Sequence, residues 1–368
     1  MISAVRSLFD RWRGSGAHAA TVPPMDGVLG PNQAIEEAQL LLEADAPDNL
    51  ASDGTRMVFS TGRAVLGLGV DGPLAAAEPI AAFDRPVSAL ALHADAGMAV
   101  GLEGGGVQVR GGRHDGKTIS RVGDRPAACP TALLFADADT LFVALGSQRN
   151  APSMWRHDLM QKNASGSVWR CDLASGAATC IADGLAWPCG LLAGRDGGLA
   201  VSESWRNRLV ELRPGTRPSV VLADIAGYPG RLSPASNGGS WLSVFAPRSQ
   251  LVEFVLREDD YRASMLAEVE PEYWVAPSLS AAHSFLEPMQ LGGLKQLGIL
   301  KPWAPTRSYG LVIGLDRSCE PLTSFHSRAD GRRHGITSVL EDSGRLILTS
   351  KGGNAIVSVP LDRPGARA

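Results

Sequence analysis

Trp187-Pro188-Cys189-Gly190-Leu191 decides how this chain is read, because the phrase keeps returning. It returns as Pro47-Asp48-Asn49-Leu50, Pro86-Val87-Ser88-Ala89-Leu90, Pro130-Thr131-Ala132-Leu133 and Tyr228-Pro229-Gly230-Arg231-Leu232, with a degenerate copy at Arg333-His334-Gly335-Ile336-Thr337. Each full copy is a Pro-bearing turn, a small or polar residue, an apolar strand, a Gly or Asp turn and a second strand. Copies with no insertion between them start roughly 40–45 residues apart, which with four short strands per unit is the period of a β-propeller blade. A propeller concentrates its chemistry at the mouth of its central channel. The repeat therefore brings residues far apart in sequence face to face across one axis.

Working outward, the pattern predicts an all-β, six-bladed propeller over residues 35–363, behind an N-terminal extension of residues 1–34. Blade 4 is the most regular, with strands expected at Cys189–Ala193, Leu199–Glu203, Arg208–Arg213 and Ser219–Asp224. Blades 3 and 5 are interrupted by residues 146–166 and 246–308. In an antiparallel blade, the turn into the innermost strand and the turn between the second and third strands lie on the same face. Both insertions therefore belong over the channel mouth, the usual form of a binding site with a lid. Blade 6 runs out of chain before its outer strand. The segment Glu36-Glu37-Ala38-Gln39-Leu40-Leu41-Leu42-Glu43 either supplies it, closing two open sheet edges, or packs as a helix on the channel.

Composition excludes several classes of function. A net charge of −3 over 368 residues offers no basic stripe for nucleic acid. No run of about 18 apolar residues would span a membrane. The start of the chain lacks the apolar core of a secretion signal. The five cysteines, Cys129, Cys171, Cys180, Cys189 and Cys319, contain no CxxC pair. Together these point to a reducing, cytoplasmic setting. Val5, Leu8, Phe9 and Trp12 fall on one side of a short amphipathic stretch near the start, which reads as a docked terminus or a membrane-surface helix.

Several phrases resemble those of the strictosidine synthase-like proteins, six-bladed propellers grouped with the gluconolactonase and paraoxonase branches. Val22-Pro23-Pro24-Met25-Asp26-Gly27-Val28-Leu29-Gly30-Pro31-Asn32 is similar to that family's opening "PPxxGxLxPN". Ser165-Gly166-Ser167-Val168-Trp169-Arg170-Cys171-Asp172-Leu173 and Asp183-Gly184-Leu185-Ala186-Trp187-Pro188-Cys189-Gly190 resemble "tGrlwryDp … dGLxfPNG". Ser202-Glu203-Ser204-Trp205-Arg206-Asn207-Arg208-Leu209, Ala226-Gly227-Tyr228-Pro229-Gly230-Arg231 and Asp342-Ser343-Gly344-Arg345-Leu346-Ile347-Leu348 continue the likeness in order. The resemblance implies the propeller fold and a small-molecule enzyme, with hydrolysis of an ester or lactone the leading reaction. It also exposes departures. Metal-dependent branches hold an axial cation, often calcium, on a Glu, an Asn and an Asp or Asn. The matching positions here are Asp48, Cys189 and Gly230-Arg231, a poor set for a cation wanting six to eight oxygens. The Glu on which strictosidine synthesis relies corresponds to Thr337 or its neighbour Ile336.

A different polar set remains on the phrases: Asp48, Asn49, Thr131, Cys189, Arg231 and His334. It supports three readings. His334 or Asp48 acts as a general base while Arg231 stabilises an oxyanion or binds a carboxylate. Asp48, Cys189 and His334 hold a divalent metal, for which zinc suits the donors better than calcium. Cys189 is a nucleophile with His334 as its base. Expected substrate contacts are Asn49, Thr131, Trp187, Glu203, Trp205, Tyr228 and Thr337, joined from the insertions by His157 and Glu287. No cofactor is expected under the first reading. The insertions' aromatics serve either a lid over the substrate or a homodimer interface. Metal-free condensation or cyclisation, and a propeller that only binds a ligand or scaffolds a partner, stand beside hydrolysis.

Overall fold

A computed structural model describes residues 22–69, 76–194, 197–213, 215–281, 283–284, 286–288, 295–296, 299–300 and 306–361. The amphipathic stretch at 5–12 lies outside these residues, as do Phe285 and Trp303 in the second insertion.

Six four-stranded antiparallel sheets surround one axis, as the repeat predicts. Blade 1 holds Asp48–Ser52, Met57–Thr61, Ala64–Gly69 and Ala76–Ala82, and blade 2 holds Val87–His93, Gly97–Leu102, Gly106–Arg110 and Thr118–Ile119. Blade 3 holds Pro130–Phe135, Thr140–Leu145, Gly166–Asp172 and Ala178–Leu185. Blade 4 holds Pro188–Ala193, Leu199–Glu203, Arg208–Leu212 and Ser219–Leu222. Blade 5 holds Gly227–Pro234, Ser240–Pro247, Leu311–Leu315 and Pro321–His326. Blade 6 takes Ile336–Asp342, Arg345–Ser350 and Ala355–Pro360, and its outer strand is Gln39–Glu43 from the start of the chain. The strand reading of that segment therefore holds and the helix reading falls. Leu41 is buried there beside Leu50, Phe59 and Ile356, so the closing strand adds to the core between blades 6 and 1 as well as capping an edge.

The cores lie between neighbouring blades, where alternate residues of one sheet meet those of the next. Leu133, Leu141 and Val143 of blade 3 pack with Ala99, Val107 and Val109 of blade 2, for example. Among the described residues, no helix is long and apolar enough to cross a membrane.

One irregularity repeats in every blade. The innermost strand pairs regularly with the second, but at the recurring phrase the register shifts. Asn49 and Leu50, Ser88, Thr131, Cys189, Gly230 and Arg231, and Thr337 are left without a partner in the register. A bulge of this kind bends the strand and re-aims the extra side chain. Repeated around the axis, it offers the channel mouth at least one re-aimed residue per blade.

The two insertions carry helices. Residues 146–165 contain a short helical segment at Pro152–Met154 and the helix Trp155–Met160, and the second insertion begins with helices Gln250–Val255 and Asp259–Glu268. They share one apolar core, in which Leu159 and Met160 meet Val255, Met265 and Trp274 together with Tyr228 and Phe245 of blade 5. The first insertion leaves its blade at Gly146, where a Cβ would lie 2.6 Å from Thr131 Cγ2, so only glycine passes this close to the axis.

Candidate functional site

The mouth encloses a cavity of about 370 Å³. Its floor is made by the register-shifted residues Ser88, Thr131, Cys189, Arg231 and Thr337 with Asp48 beside them, and its wall by Trp155, Trp187 and Phe245. Lys351, from the turn after the second strand of blade 6, completes the charged floor.

Arg231 organises that floor. From blade 5 it reaches across the axis, and Nη1 donates to Asp48 Oδ1 at 2.7 Å and to the Thr337 carbonyl at 3.2 Å. Nη2 donates to the Ser88 carbonyl at 3.1 Å and to Asn49 Oδ1. One guanidinium thus ties blades 1, 2 and 6 to blade 5. On the other side of the carboxylate, Lys351 Nζ donates to Asp48 Oδ2 at 2.8 Å. Asp48 also accepts from the Asn49 amide at 2.7 Å, and the Asn49 side chain donates to Ser60 Oγ at 2.7 Å. Burial by itself would raise the Asp48 pKa. The charges of Arg231 and Lys351 outweigh it and hold the carboxyl well below the usual carboxylate range. Burial pushes the Cys189 thiol up, so it stays protonated and weakly nucleophilic near neutral pH.

The aromatic wall is a stack with depth. Trp187 stacks on Trp205 at 5.2 Å, Trp205 on Trp155 at 6.3 Å, and Phe245 meets Trp155 edge-on at 5.5 Å. Trp187 holds φ at 59°, a left-handed conformation that is rare for a bulky side chain and concentrates at functional rims. Trp205 lies behind the wall, with its indole N–H donated to Asp158 Oδ1 at 2.8 Å. Asp158 is fully buried and accepts two further bonds of 2.9 Å, from the side-chain amides of Asn150 and Asn163. This neutral-donor cradle fixes the first insertion against blade 4 and so sets where Trp155 stands. At the opposite rim, Glu103 accepts from Ser153 N at 3.1 Å and Ser153 Oγ at 2.7 Å, pinning the same insertion to blade 2.

Of the residues singled out from sequence, Asp48, Thr131, Trp187, Cys189, Arg231 and Thr337 meet at this cavity, and Asn49 stands behind Arg231. Others lie elsewhere. His334 is buried in a seam, with Nδ1 2.7 Å from Ser308 Oγ and Nε2 2.7 Å from the Arg328 carbonyl. Its Nε2 must carry the proton, Nδ1 is occupied by the serine hydroxyl, and burial lowers its pKa. It does not line the cavity, so it neither serves as the base of the first reading nor joins Asp48 and Cys189. Among the described residues, no cluster of three His, Cys, Asp or Glu side chains is arranged to hold a metal. Glu203 is buried under its own turn, accepting from Ala186 N at 2.8 Å, Arg208 Nε at 2.6 Å and Arg206. Tyr228 is buried behind the wall in the core shared with the insertions. His157 packs edge-on to Trp274 at 4.5 Å, and Glu287 accepts from the His283 amide at 2.8 Å and faces Arg307 at 3.5 Å. None of these four lines the cavity. Sequence reasoning missed Lys351 and Phe245 and reached Trp155 only as one of the aromatics of the first insertion. Each sits at the mouth end of a second strand or in the insertion that follows one, so applying the same-face rule to those turns finds them.

No family model and no curated protein matches the chain. Solved structures with a similar fold include a gluconolactonase from Xanthomonas campestris, at 16% identity over 88% of this chain and 88% of that one, with a TM-score of 0.56. Another is the calcium-binding protein regucalcin from Agrobacterium tumefaciens, at 12% identity over 89% of this chain and 97% of that one, with a TM-score of 0.50. Identities this low establish the six-bladed propeller and nothing finer.

Proposed function

We propose that the mouth cavity is the active site of an ester or lactone hydrolase of gluconolactonase-like or strictosidine synthase-like type. One observation carries the reading: a carboxylate held ionised between two cations lies at the floor of a cavity walled by aromatic rings. Lys351, whose side chain is 34% exposed, is the cation a substrate reaches. Its ammonium polarises the carbonyl and stabilises the oxyanion as it forms, an effect worth roughly 10²–10³ in rate for one well-placed donor. Asp48 orients the attacking water. Held well below the usual range, it is a weak base, which restricts the chemistry to acyl groups with good leaving groups. Strained lactones and aryl esters qualify, and amides do not. Trp155, Trp187 and Phe245 favour an aromatic or apolar body over a polyol.

The test is a panel pairing an aryl lactone and an aryl ester with a sugar lactone, run on the wild type, Lys351→Met and Asp48→Asn. We expect turnover of the aryl compounds, lost in both variants. No consumption of any panel member would sink the reading. A second reading, ligand binding without turnover, is favoured by one feature: Asp48 titrates far below neutrality and Cys189 above it, leaving neither poised for proton transfer. Saturable binding of the aryl compounds without product would select it.

A further inference from the structure

We infer that the axial cation of this propeller is its own Arg231, and that the mouth takes no divalent metal. One of the structures sharing the fold is a calcium-binding protein, so the donors here must be asked whether they would hold such an ion. Calcium takes six to eight oxygens, and carboxylates supply most of the attraction. The oxygens that Arg231 engages at the axis are Asp48 Oδ1, Asn49 Oδ1 and the carbonyls of Ser88 and Thr337. All four accept from the two terminal nitrogens of Arg231, which carry four N–H groups between them. Donors and acceptors match in number, and the ring is full.

Charge argues the same way. Asp48 is the one carboxylate in the ring and already faces two cations, Arg231 at 2.7 Å and Lys351 at 2.8 Å. A divalent ion added there would meet more positive than negative charge at contact distance. The other carboxylate on the cavity, Glu103, has both oxygens on Ser153. Zinc fares no better: His334 lies off the cavity, and the Asp48 carboxylate already faces Arg231 and Lys351, which leaves too few donors for a tetrahedral site.

Arg231 also lines a second cavity, about 140 Å³, on the far side of the ring, among Leu50, Leu90, Leu133 and Leu191. Arg231 therefore stands between the mouth cavity and this second one, lining both. A compact ammonium cannot copy it, since four acceptors from three other blades need a planar fork.

The test needs no substrate and so is independent of the proposed reaction. Purified wild-type chain is titrated with calcium chloride and with zinc chloride, and its thermal unfolding is followed with each salt and with EDTA. We expect no stoichiometric uptake and no change in Tm. Stoichiometric binding with a Tm rise of about 2 °C or more would overturn the inference. The second arm is Arg231→Lys, which keeps the charge and loses the fork. We expect its Tm to drop, or the variant not to fold, while a Tm equal to wild type would show that charge alone fills the ring and would also overturn it.

Discussion

Asp48 and His334 stood together in the sequence as candidates for one catalytic set, and the structure puts them in two unlike regions. Both side chains are buried and both are fully hydrogen-bonded. At the axis, the partners of Asp48 are charged and arrive from other blades, and a cavity opens beside it. In the seam, the partners of His334 are a hydroxyl and a backbone carbonyl, and it does not line the mouth cavity. Both pKa values are lowered, with opposite results. A lowered carboxyl keeps its charge at neutral pH, whereas a lowered imidazole loses its charge. Burial and hydrogen bonding therefore do not by themselves mark a functional group. What marks one is unlike charge converging from distant parts of the chain onto accessible space.

The axis is where the largest effect should appear. Arg231→Met leaves Asp48 with Lys351 as its one charged partner and takes a donor from three further acceptors, of which the Thr337 carbonyl keeps Ser243 Oγ at 3.1 Å. Breaking a buried ion pair from one side costs about 3–5 kcal/mol, to be read by urea denaturation. A cost below about 1 kcal/mol would show that the axis is no more strongly coupled than a surface pair. Lys351→Met comes next and acts on turnover. The lysine is partly exposed, so its ion pair contributes at most about 1 kcal/mol to stability. Its loss should lower kcat by about 10²–10³-fold if it stabilises the oxyanion. A variant destabilised with unchanged kcat would move Lys351 to the structural side of the comparison.

The fold was legible because the phrase recurs, and the floor of the site because the register shift falls inside the phrase. Asp48, Thr131, Cys189 and Arg231 could thus be named from the phrase, and Thr337 from the position that the family resemblance matched. His334 misled because its copy is degenerate. It stands three residues before Thr337, ahead of Gly335 at φ 64°, so the turn to the axis comes after it. Lys351 was invisible to the phrase because its turn carries no Pro and reads only as Lys351-Gly352-Gly353. The aromatic wall was half legible. Trp187 sits in a phrase, but the stacking of Trp155 on Trp205 depends on Asp158 and its amide partners, which meet only in three dimensions.

Acid should separate the two regions. In the same seam, His326 is pushed down to about 4 by burial, bonded to Tyr309 and Ser324. An unfolded histidine binds its proton near pH 6.5, so the unfolded chain holds more protons between the two values. Stability is intact above about pH 6.5 and falls as pH drops towards 4, by up to about 3 kcal/mol for His326. Asp48 is depressed instead, so its contribution persists through this window and is lost only in stronger acid. His326→Gln should flatten the slope between pH 6.5 and 4, and an unchanged slope would place the titrating group elsewhere. Asp158→Asn should cost less, about 1–3 kcal/mol, because an amide cannot accept from all three N–H donors. It should also raise KM by loosening the wall at Trp155 and Trp205, and an unchanged KM would separate that wall from binding.

The smallest effect on turnover belongs to His334→Gln. Glutamine can donate to the Arg328 carbonyl and accept from Ser308, so the seam keeps its bonding pattern at a cost of about 1 kcal/mol. If chemistry resides at the axis, kcat for whichever panel substrate is turned over stays within about twofold of wild type. The pH–rate profile should also keep its shape near neutrality, since burial lowers the pKa of the removed imidazole and leaves it neutral there. A large fall in kcat, or loss of a limb of the profile near neutrality, would mean that His334 swings out of the seam to act on substrate. The contrast between a charged axis and a buried seam would then describe only one state of the molecule.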